Sequence, residues 1–195
     1  MEKTKNRTFQ DMVDDRNFVS IDANSTSIAF AVWKDDKLDS IGKISWEGKT
    51  TYEKLQSASK VVKAFFDYYA DIHVVVIEHT IFMNSPKTAA DLALVQGAIL
   101  GAMSNAGVEQ IKSINPIAWQ TFIKNGRLTT PEKQLIRNEF PGKSDAWYKT
   151  REREFRKQRT IKFVNDRYKR TISDNDVADA VGIGHYAIFN WDKLG

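Results

Sequence analysis

Four acidic side chains lie at the ends of apolar segments, at places where folding could bring them together; they are Asp22, Glu78, Asp176 and Asp179. A carboxylate at the edge of a hydrophobic core is costly without compensation, and several converging carboxylates repel one another unless cations neutralise them. Magnesium, a hard cation that prefers oxygen ligands, is the usual partner of such a set. The pattern is therefore typical of a metal-dependent nuclease, with the four acids as predicted metal ligands and catalytic groups.

Phosphodiester hydrolysis explains why such a set is needed. In-line attack of water requires one ion that generates hydroxide and a second that stabilises the departing 3′ oxygen, with the ions roughly 4 Å apart. One carboxylate must then bridge both ions, and Asp22, on the first strand, is the predicted bridge. Glu78 is predicted to hold one ion from a neighbouring strand, while Asp176 and Asp179, three apart on a helix, approach from the side. This chemistry needs no protein nucleophile.

The acids also have purely structural interpretations. Asp22 precedes a run of small polar residues, and an aspartate often starts a turn. Asp176 could be the third-position acid of a helix cap headed by Ser173, with Asp174 as a rival for either role. Asp179 is the hardest to explain in this way, because it interrupts an otherwise apolar helical segment. Taken together, the set favours a metal site.

The elements that must position these acids follow from hydrophobic periodicity. Apolar runs predict strands over residues 18–21, 27–34, 38–45, 73–78 and 110–114. A helical period predicts helices over residues 52–69, 87–105, 116–124 and 174–189. The predicted organisation is a polar N-terminal arm over 1–17, a single domain over 18–195 and, within it, a glycine- and proline-containing insertion over 125–145.

Composition narrows the chemistry further. The chain has 195 residues and a mass of 22.3 kDa, enough for one ordinary domain, and it contains no cysteine. Disulfides, thiolate nucleophiles and sulfur-ligated metal sites are therefore excluded, and any metal must bind through oxygen or imidazole. No segment approaches the roughly 18 apolar residues of a membrane span, so we expect a soluble cytoplasmic protein without a membrane partner.

Positive charge is concentrated in residues 143–170. The chain has a net charge of +4 and a pI near 9.1, yet without this stretch the remainder is net acidic. The stretch interleaves cations with aromatic residues, which fits either a solvated amphipathic helix or a nucleic-acid-binding segment. Concentration of the positive field in one place favours nucleic acid. The predicted DNA-binding cations of this stretch are Arg151, Arg153, Arg156, Arg159 and Lys162, and Lys133, which precedes the stretch, is predicted to bind DNA as well.

The order of the predicted elements is that of the ribonuclease H-like fold, an α/β fold with a central mixed five-stranded sheet flanked by helices, here with a basic helical insertion. Within that fold, the motifs resemble the RuvC-type Holliday junction resolvases, in particular a phage-encoded member. The resemblance covers most of the chain from Phe18 to Phe189. It rests on Ile21-Asp22, on Val76-Ile77-Glu78 followed by Phe82, and on Asp176-Val177-Ala178-Asp179-Ala180.

The resemblance implies a nuclease of DNA recombination and repair that holds two Mg²⁺ ions per active site through the four acids, with Mn²⁺ as a substitute. It implies a homodimer that makes paired, symmetric nicks in branched double-stranded DNA, at four-way junctions and, in a broader reading, at forks. Gly97 and Gly101, inside the helix over 87–105, suggest close backbone approach. Packing of this helix on the sheet would explain them, and so would the dimer contact that the resemblance places on the same helix. A phage-encoded member would act in the cytoplasm of its bacterial host.

The family also uses a lysine beside the acids to neutralise the pentacovalent phosphate. Lys157, which leads towards the final acids, is the first choice for this role, and Lys133 is the second. Phe82, in the loop after Glu78, is a predicted DNA contact, because an aromatic side chain that stacks on a base contributes roughly 1–3 kcal/mol. The alternative role for Phe82 is to anchor that loop in the core.

The chain departs from the family pattern in two places. Ala23-Asn24 replaces the Pro-Gly that usually follows the first acid, and a minimal resolvase lacks the basic, aromatic-rich stretch between Asn125 and Arg170. Junction-only cleavage, broader cleavage of branches and sequence preference therefore stay open. Two rival functions are a non-catalytic branched-DNA-binding protein of the same fold and a less specific ribonuclease H-like nuclease. An actin-like ATPase would need a duplicated domain, for which the chain is too short.

Overall fold

The structure is a computed structural model that describes residues 16–79 and 86–195, with the backbone alone for residues 86–89. Most of the predicted N-terminal arm, and the predicted DNA contact Phe82, lie outside the described residues. In the part of the chain that is described, no helix has the length and apolar character needed to cross a membrane.

A mixed sheet forms the centre of the described molecule. Its five strands are β1 (Phe18–Ala23), β2 (Ser27–Lys34), β3 (Lys37–Ser45), β4 (Val74–Glu78) and β5 (Gln110–Ile114). Their order across the sheet is β3-β2-β1-β4-β5, with β1 to β3 as an antiparallel meander and β4 and β5 parallel to β1. Asp35 and Asp36 take positive φ values of 49° and 59° in the tight turn between β2 and β3, as a two-residue hairpin requires.

Helices flank this sheet. They are α1 (Thr51–Tyr68), α2 (Pro86–Asn105), α3 (Pro116–Phe122), α4 (Thr130–Glu139), α5 (Asp145–Tyr168) and α6 (Asn175–Phe189), followed by a short 3₁₀ helix (Trp191–Lys193). The helices predicted from periodicity begin and end within two residues of the observed ones. The predicted fold class, a mixed five-stranded sheet flanked by helices, is confirmed.

Helix α4 is the element that the prediction missed, because residues 125–145 were interpreted only as an insertion. Its N-terminus has a capping box in which the backbone N–H of Thr129 donates to Oε2 of Glu132 at 2.7 Å. α4 packs against the first half of α5 through a small apolar cluster that includes Ile136 and Tyr148. The basic stretch is thus the second arm of a helical hairpin.

The helices cover both faces of the sheet, and β1 shows how the sequence separates the two layers. Val19 and Ile21 are buried in an apolar core formed with α1 and α2. Phe18, which points the other way, is buried in a second core formed with α6. This alternation follows from the period of two along a strand.

Helix α6 lies directly against the second face. A Cβ added to Gly184 would clash with Nε1 of Trp33 and Oγ of Ser20, so the close approach requires glycine. Ser20 Oγ donates to the carbonyl of Ala180 at 2.7 Å and accepts from Trp33 Nε1 at 2.8 Å. These bonds satisfy the buried Ser20 hydroxyl and fix the first half of α6 near the carboxyl end of β1.

Candidate active site

Asp22 and Glu78 lie side by side near the carboxyl ends of β1 and β4. Ile21 pairs with Ile77 in the parallel register, so the next residue along each strand is one of the two acids. The side chain of Ser20 contacts α6. Asp22 lies two positions further along β1, and side chains two positions apart share a face of the sheet. Both carboxylates are therefore on the α6 side.

Asp176 and Asp179 come from the first two turns of α6. The helix begins with Asp174 as its N-cap, whose Oδ1 accepts two backbone N–H groups of the first turn at 2.8 and 3.2 Å. Ser173 does not cap the helix, so the interpretation of Asp176 as the third-position acid of a Ser173 cap is wrong. Asp179 precedes Ala180, whose carbonyl contacts β1, and so lies over the strand that carries the first acid.

The charges of the four acids affect one another, as expected if the fold brings them together. Burial raises the pKa of Asp22 well above its ordinary range, and the charges of Asp179, Glu78 and Asp176 raise it further. Burial also raises the pKa of Asp179 to about 7, with the charge of Glu78 as the next contribution. Carboxylates in this situation hold protons readily, and a cation can replace those protons.

Glu78 accepts a hydrogen bond from a tryptophan in the core. Trp119 Nε1 on α3 donates to its Oε2 at 2.7 Å, and Trp119 itself is buried. Burial raises the pKa of Glu78, while this hydrogen bond and the charge of Arg156 act in the opposite direction. Sequence reasoning missed the contact because it joins two elements far apart in the chain. Trp119 therefore fixes the orientation of Glu78.

Asp22 takes no part in the turn that follows β1. That turn is held by Asn24, whose Oδ1 accepts from the backbone N–H groups of Thr26 and Ser27, both at 2.9 Å. The turn-starting role that sequence alone allowed for Asp22 belongs to Asn24. Asn24 Nδ2 also reaches Oδ2 of Asp176 at 3.5 Å, so the residue that holds the turn also contacts the acid cluster.

The donor set fits a hard divalent cation by its chemistry, because it consists of carboxylates whose mutual repulsion a cation would relieve. The side chains as described do not close on a single point. Over residues 16–79 and 86–195, no three histidine, aspartate or glutamate side chains are grouped closely enough to hold one ion. Binding an ion through three or more of these acids therefore requires side chains to rotate from the described arrangement.

Lys43 is a neighbour of the acids that sequence reasoning did not identify. Across the sheet, Asp22 pairs with Ala29 of β2 and Ala29 pairs with Lys43 of β3. Lys43 Nζ lies 2.5 Å from Oδ2 of Asp176 and 3.3 Å from Oδ2 of Asp174. The register of the meander could have placed Lys43 in line with Asp22, but the position of α6 over β3 has no sequence signal.

The two lysines considered for a catalytic role lie in different surroundings. Lys157 Nζ donates to Oδ1 of Asn175 at 3.3 Å, and its charge offsets part of the rise in the pKa of Asp179. Lys133, on α4, pairs instead with Glu152 on α5 at 3.4 Å. Lys157 is thus next to the acid cluster, whereas Lys133 forms an ion pair between the two arms of the helical hairpin. The catalytic role of either lysine stays a prediction.

Three of the five predicted DNA-binding cations on α5 have carboxylate partners. Arg151 Nη1 lies 3.1 Å from Glu154, and Lys162 Nζ lies 2.8 Å from Asp166, both within one turn of α5. Arg159 pairs with Glu132 of α4. The charge of each of these three cations is therefore partly neutralised by its carboxylate partner.

The other two predicted cations lie on a different side of α5. Arg156 donates to Oε1 of Gln120, and its Nε is buried without a hydrogen-bond partner among the described residues. Arg153 is exposed and forms no ion pair within the described part of the chain. By helical spacing both share the side on which Thr160 is buried against the domain. Unpaired positive charge therefore lies on the side of α5 that faces the acids.

A cleft of about 1000 Å³ opens beside the acids. Asp22 and Glu78 line it, together with Gln120, Arg127 and Arg156. It combines carboxylates with cations, the two kinds of group that hydrolysis of a phosphodiester needs.

No protein-family model matches this chain, and no curated protein is significantly similar to it. Solved structures do match. Thermus thermophilus RuvC in complex with a Holliday junction substrate has a TM-score of 0.61 at 15% sequence identity, covering 91% of this chain and 95% of that one. A further Thermus thermophilus RuvC structure has a TM-score of 0.60 at 13% identity, covering 91% and 96%. The chain therefore has the ribonuclease H-like α/β fold, as the order of its elements predicted.

Proposed function

We propose that this chain is a magnesium-dependent DNA endonuclease that resolves Holliday junctions, with residues 18–195 as a single nuclease domain. The observation that carries the proposal is the register that sets Asp22 beside Glu78, with Asp176 and Asp179 of α6 near the same strand ends. A similar fold in a protein described with a Holliday junction substrate supports the choice of substrate.

The four acids would hold two Mg²⁺ ions, with Asp22 as the bridge, and Mn²⁺ would substitute. Bound there, the ions would supply the hydroxide and stabilise the departing 3′ oxygen. Trp119 keeps Glu78 oriented through its 2.7 Å hydrogen bond, so less rearrangement is needed when the site is filled. Lys157, next to the acids, would neutralise the charge that develops on the phosphate.

The inward side of α5 would bind the phosphate backbone. Arg153 and Arg156 lack carboxylate partners within the described residues, so their charges are available to phosphate. Arg151 must first give up part of its interaction with Glu154. Binding to phosphates dominates the affinity of DNA-binding proteins and depends on the number of free cations.

Two arginines of the same helix give a matched test of this surface. Arg153→Gln should weaken junction binding several-fold and reduce the slope of log K against log salt by about one. Arg151→Gln removes the same charge from the outward side and should change both quantities less. Fluorescence anisotropy over a salt series measures them. Equal effects of the two variants would contradict the assignment of the inward side as the DNA surface.

A homodimer would supply the two active sites that symmetric cleavage of a four-way junction needs. A Cβ added to Gly97 or Gly101 would meet no atom within 4 Å, so packing within the described chain does not explain these glycines. Leu94, one turn earlier on α2, is 51% exposed. This open face of α2 is the proposed contact, and sedimentation should give about twice the chain mass of 22.3 kDa.

The decisive experiment is cleavage of a synthetic mobile four-way junction. We expect paired nicks in opposing strands with Mg²⁺ and none with a chelator. Equal binding in both conditions without any cleavage would favour the non-catalytic branched-DNA-binding protein. Nicks confined to single strands or flaps by a monomer would favour the less specific nuclease, and equal cleavage of forks and junctions would discard narrow specificity.

A further inference from the structure

Lys43 occupies a position in the acid cluster that the proposed hydrolysis does not use. It lies on β3, in line with Asp22 across Ala29 of β2. Its ammonium group is 2.5 Å from Asp176 and 3.3 Å from Asp174, the N-cap of α6. One lysine thus joins the edge strand to the first turn of the helix that carries two of the four acids.

The contacts of Asp176 differ from those of the other helix acid. Oδ1 of Asp176 accepts from Asn175 Nδ2 at 2.5 Å, and Oδ2 accepts from Lys43 Nζ at 2.5 Å and from Asn24 Nδ2 at 3.5 Å. Both oxygens are therefore occupied by protein donors. Asp179 has Thr160 as a hydrogen-bond donor, and the charge of Lys157 offsets only part of the rise in its pKa.

We infer that Lys43 is a tethered counter-ion that holds Asp176 and competes with a divalent cation for it. The inference rests on the proposed function, since it concerns the same acids. An ammonium group and a divalent cation repel each other, so contact of both with Oδ2 of Asp176 is unfavourable. Binding of the cation at this oxygen therefore favours displacement of the lysine. Lys43 is a positioning residue, because it acts through Asp176.

The test measures Mn²⁺ binding without DNA, by electron paramagnetic resonance of the free ion. Lys43→Gln should bind Mn²⁺ about fivefold more tightly than wild type, the change expected when a partly buried ion pair, with side chains 30% and 25% exposed, no longer has to be broken. Lys43→Arg keeps the charge and should stay close to wild type. Lys63→Gln removes an exposed lysine paired with Asp67 on α1 and is the matched control.

A double-mutant cycle separates competition at one carboxylate from general repulsion. In an Asp176→Asn background, Lys43→Gln should no longer alter Mn²⁺ affinity. An undiminished gain in that background would overturn the inference, as would unchanged or weaker binding by Lys43→Gln alone. In either case the metal site would stand. Failure of the wild type and every variant to bind Mn²⁺ would overturn the proposed function and the inference together.

A second measurement uses the wild-type protein, so it does not depend on the folding of a variant. The Nζ signals of the lysines, followed by NMR during a Mg²⁺ titration, should show that of Lys43 shifting in step with binding. The Lys63 signal should stay constant. A Lys43 signal that is unchanged at saturating Mg²⁺ would show that the ammonium group is not displaced.

Discussion

The two faces of strand β1 differ in what their side chains contribute. Towards α1 and α2, Val19 and Ile21 are completely buried among apolar side chains. Towards α6, Ser20 is fully hydrogen-bonded, whereas Asp22 faces a group of like charges. Burial of apolar side chains on the first face stabilises the fold. On the second face, burial of carboxylates and the repulsion between them lower the stability.

This difference shows how the apolar face positions the acids. Because side chains alternate along a strand, the burial of Val19 and Ile21 on one face places Asp22 on the opposite face. A slip of one residue would exchange the two sets. Residues that do not touch the candidate site therefore help to position it, and substitutions on the two faces should affect different quantities.

Asp179→Asn should have the largest effect, a fall in the cleavage rate on the order of a thousandfold. It removes a carboxylate from the proposed metal site and also removes negative charge near the phosphate, so junction binding should be unchanged or tighter. Single-turnover cleavage and binding in a chelator measure the two effects. Asp67→Asn, at an exposed position of α1, is the control. Cleavage by Asp179→Asn within a few-fold of wild type would exclude Asp179 from the site.

Ile21→Ala tests the opposite face of the same strand. Loss of a completely buried side chain should lower the free energy of unfolding by about 2–5 kcal/mol, and Ile21→Val by about 0.5–1.5 kcal/mol. Urea denaturation followed by circular dichroism measures both. Cleavage per folded molecule should change far less than in Asp179→Asn. A stable Ile21→Ala variant without activity would contradict the hypothesis that the apolar face determines stability and the polar face determines catalysis.

Much of this division could be predicted from the sequence. Apolar runs that end in an acid predicted both strands and the position of Asp22 and Glu78 at their ends, because burial forces such runs into the sheet. The capping box of Thr129 and Glu132 was also readable, although it was overlooked. Local chemistry of this kind leaves a trace in neighbouring residues.

The contacts that complete the site have no such trace. Trp119 meets Glu78, and Lys43 meets Asp176, only because α3 and α6 pack against the sheet in particular places. The spacing of the cations in α5 likewise predicts a basic helix, but it does not predict which of these cations pair with carboxylates. Packing between elements decides these contacts, so they needed the structure.

The pH dependence of stability tests the cost of the polar face. The pKa of Asp179 is about 7 in the folded chain, against an ordinary value of 3.8, so between these values the folded state holds a proton that the unfolded state has lost. Stability should therefore fall as pH rises through about 7, by up to about 1.4 kcal/mol per pH unit for one proton. Asp22, whose pKa is also raised, acts in the same direction.

Chemical denaturation from pH 4.5 to 8 with a chelator measures this slope. The plot of stability against pH should be flatter for Asp179→Asn than for wild type. Saturating Mg²⁺ should also flatten the wild-type plot, because the cation replaces the proton. His185, whose pKa burial lowers to about 4, changes stability in the opposite direction, so the comparison must be between variant and wild type. Parallel curves for the two proteins would show that Asp179 is ionised without penalty.

Lys157→Ala should have the smallest of these effects and separates chemistry from binding on the polar face. If Lys157 neutralises charge that develops in the transition state, turnover should fall about tenfold while junction affinity changes two- to threefold. Lys133→Ala is the matched control, because Lys133 pairs with Glu152 in the helical hairpin rather than with the acid cluster. An equal fall in affinity with turnover intact would make Lys157 a phosphate anchor. A larger loss of turnover in Lys133→Ala would assign the catalytic role to Lys133, and α4 would then have to move towards the acids for cleavage.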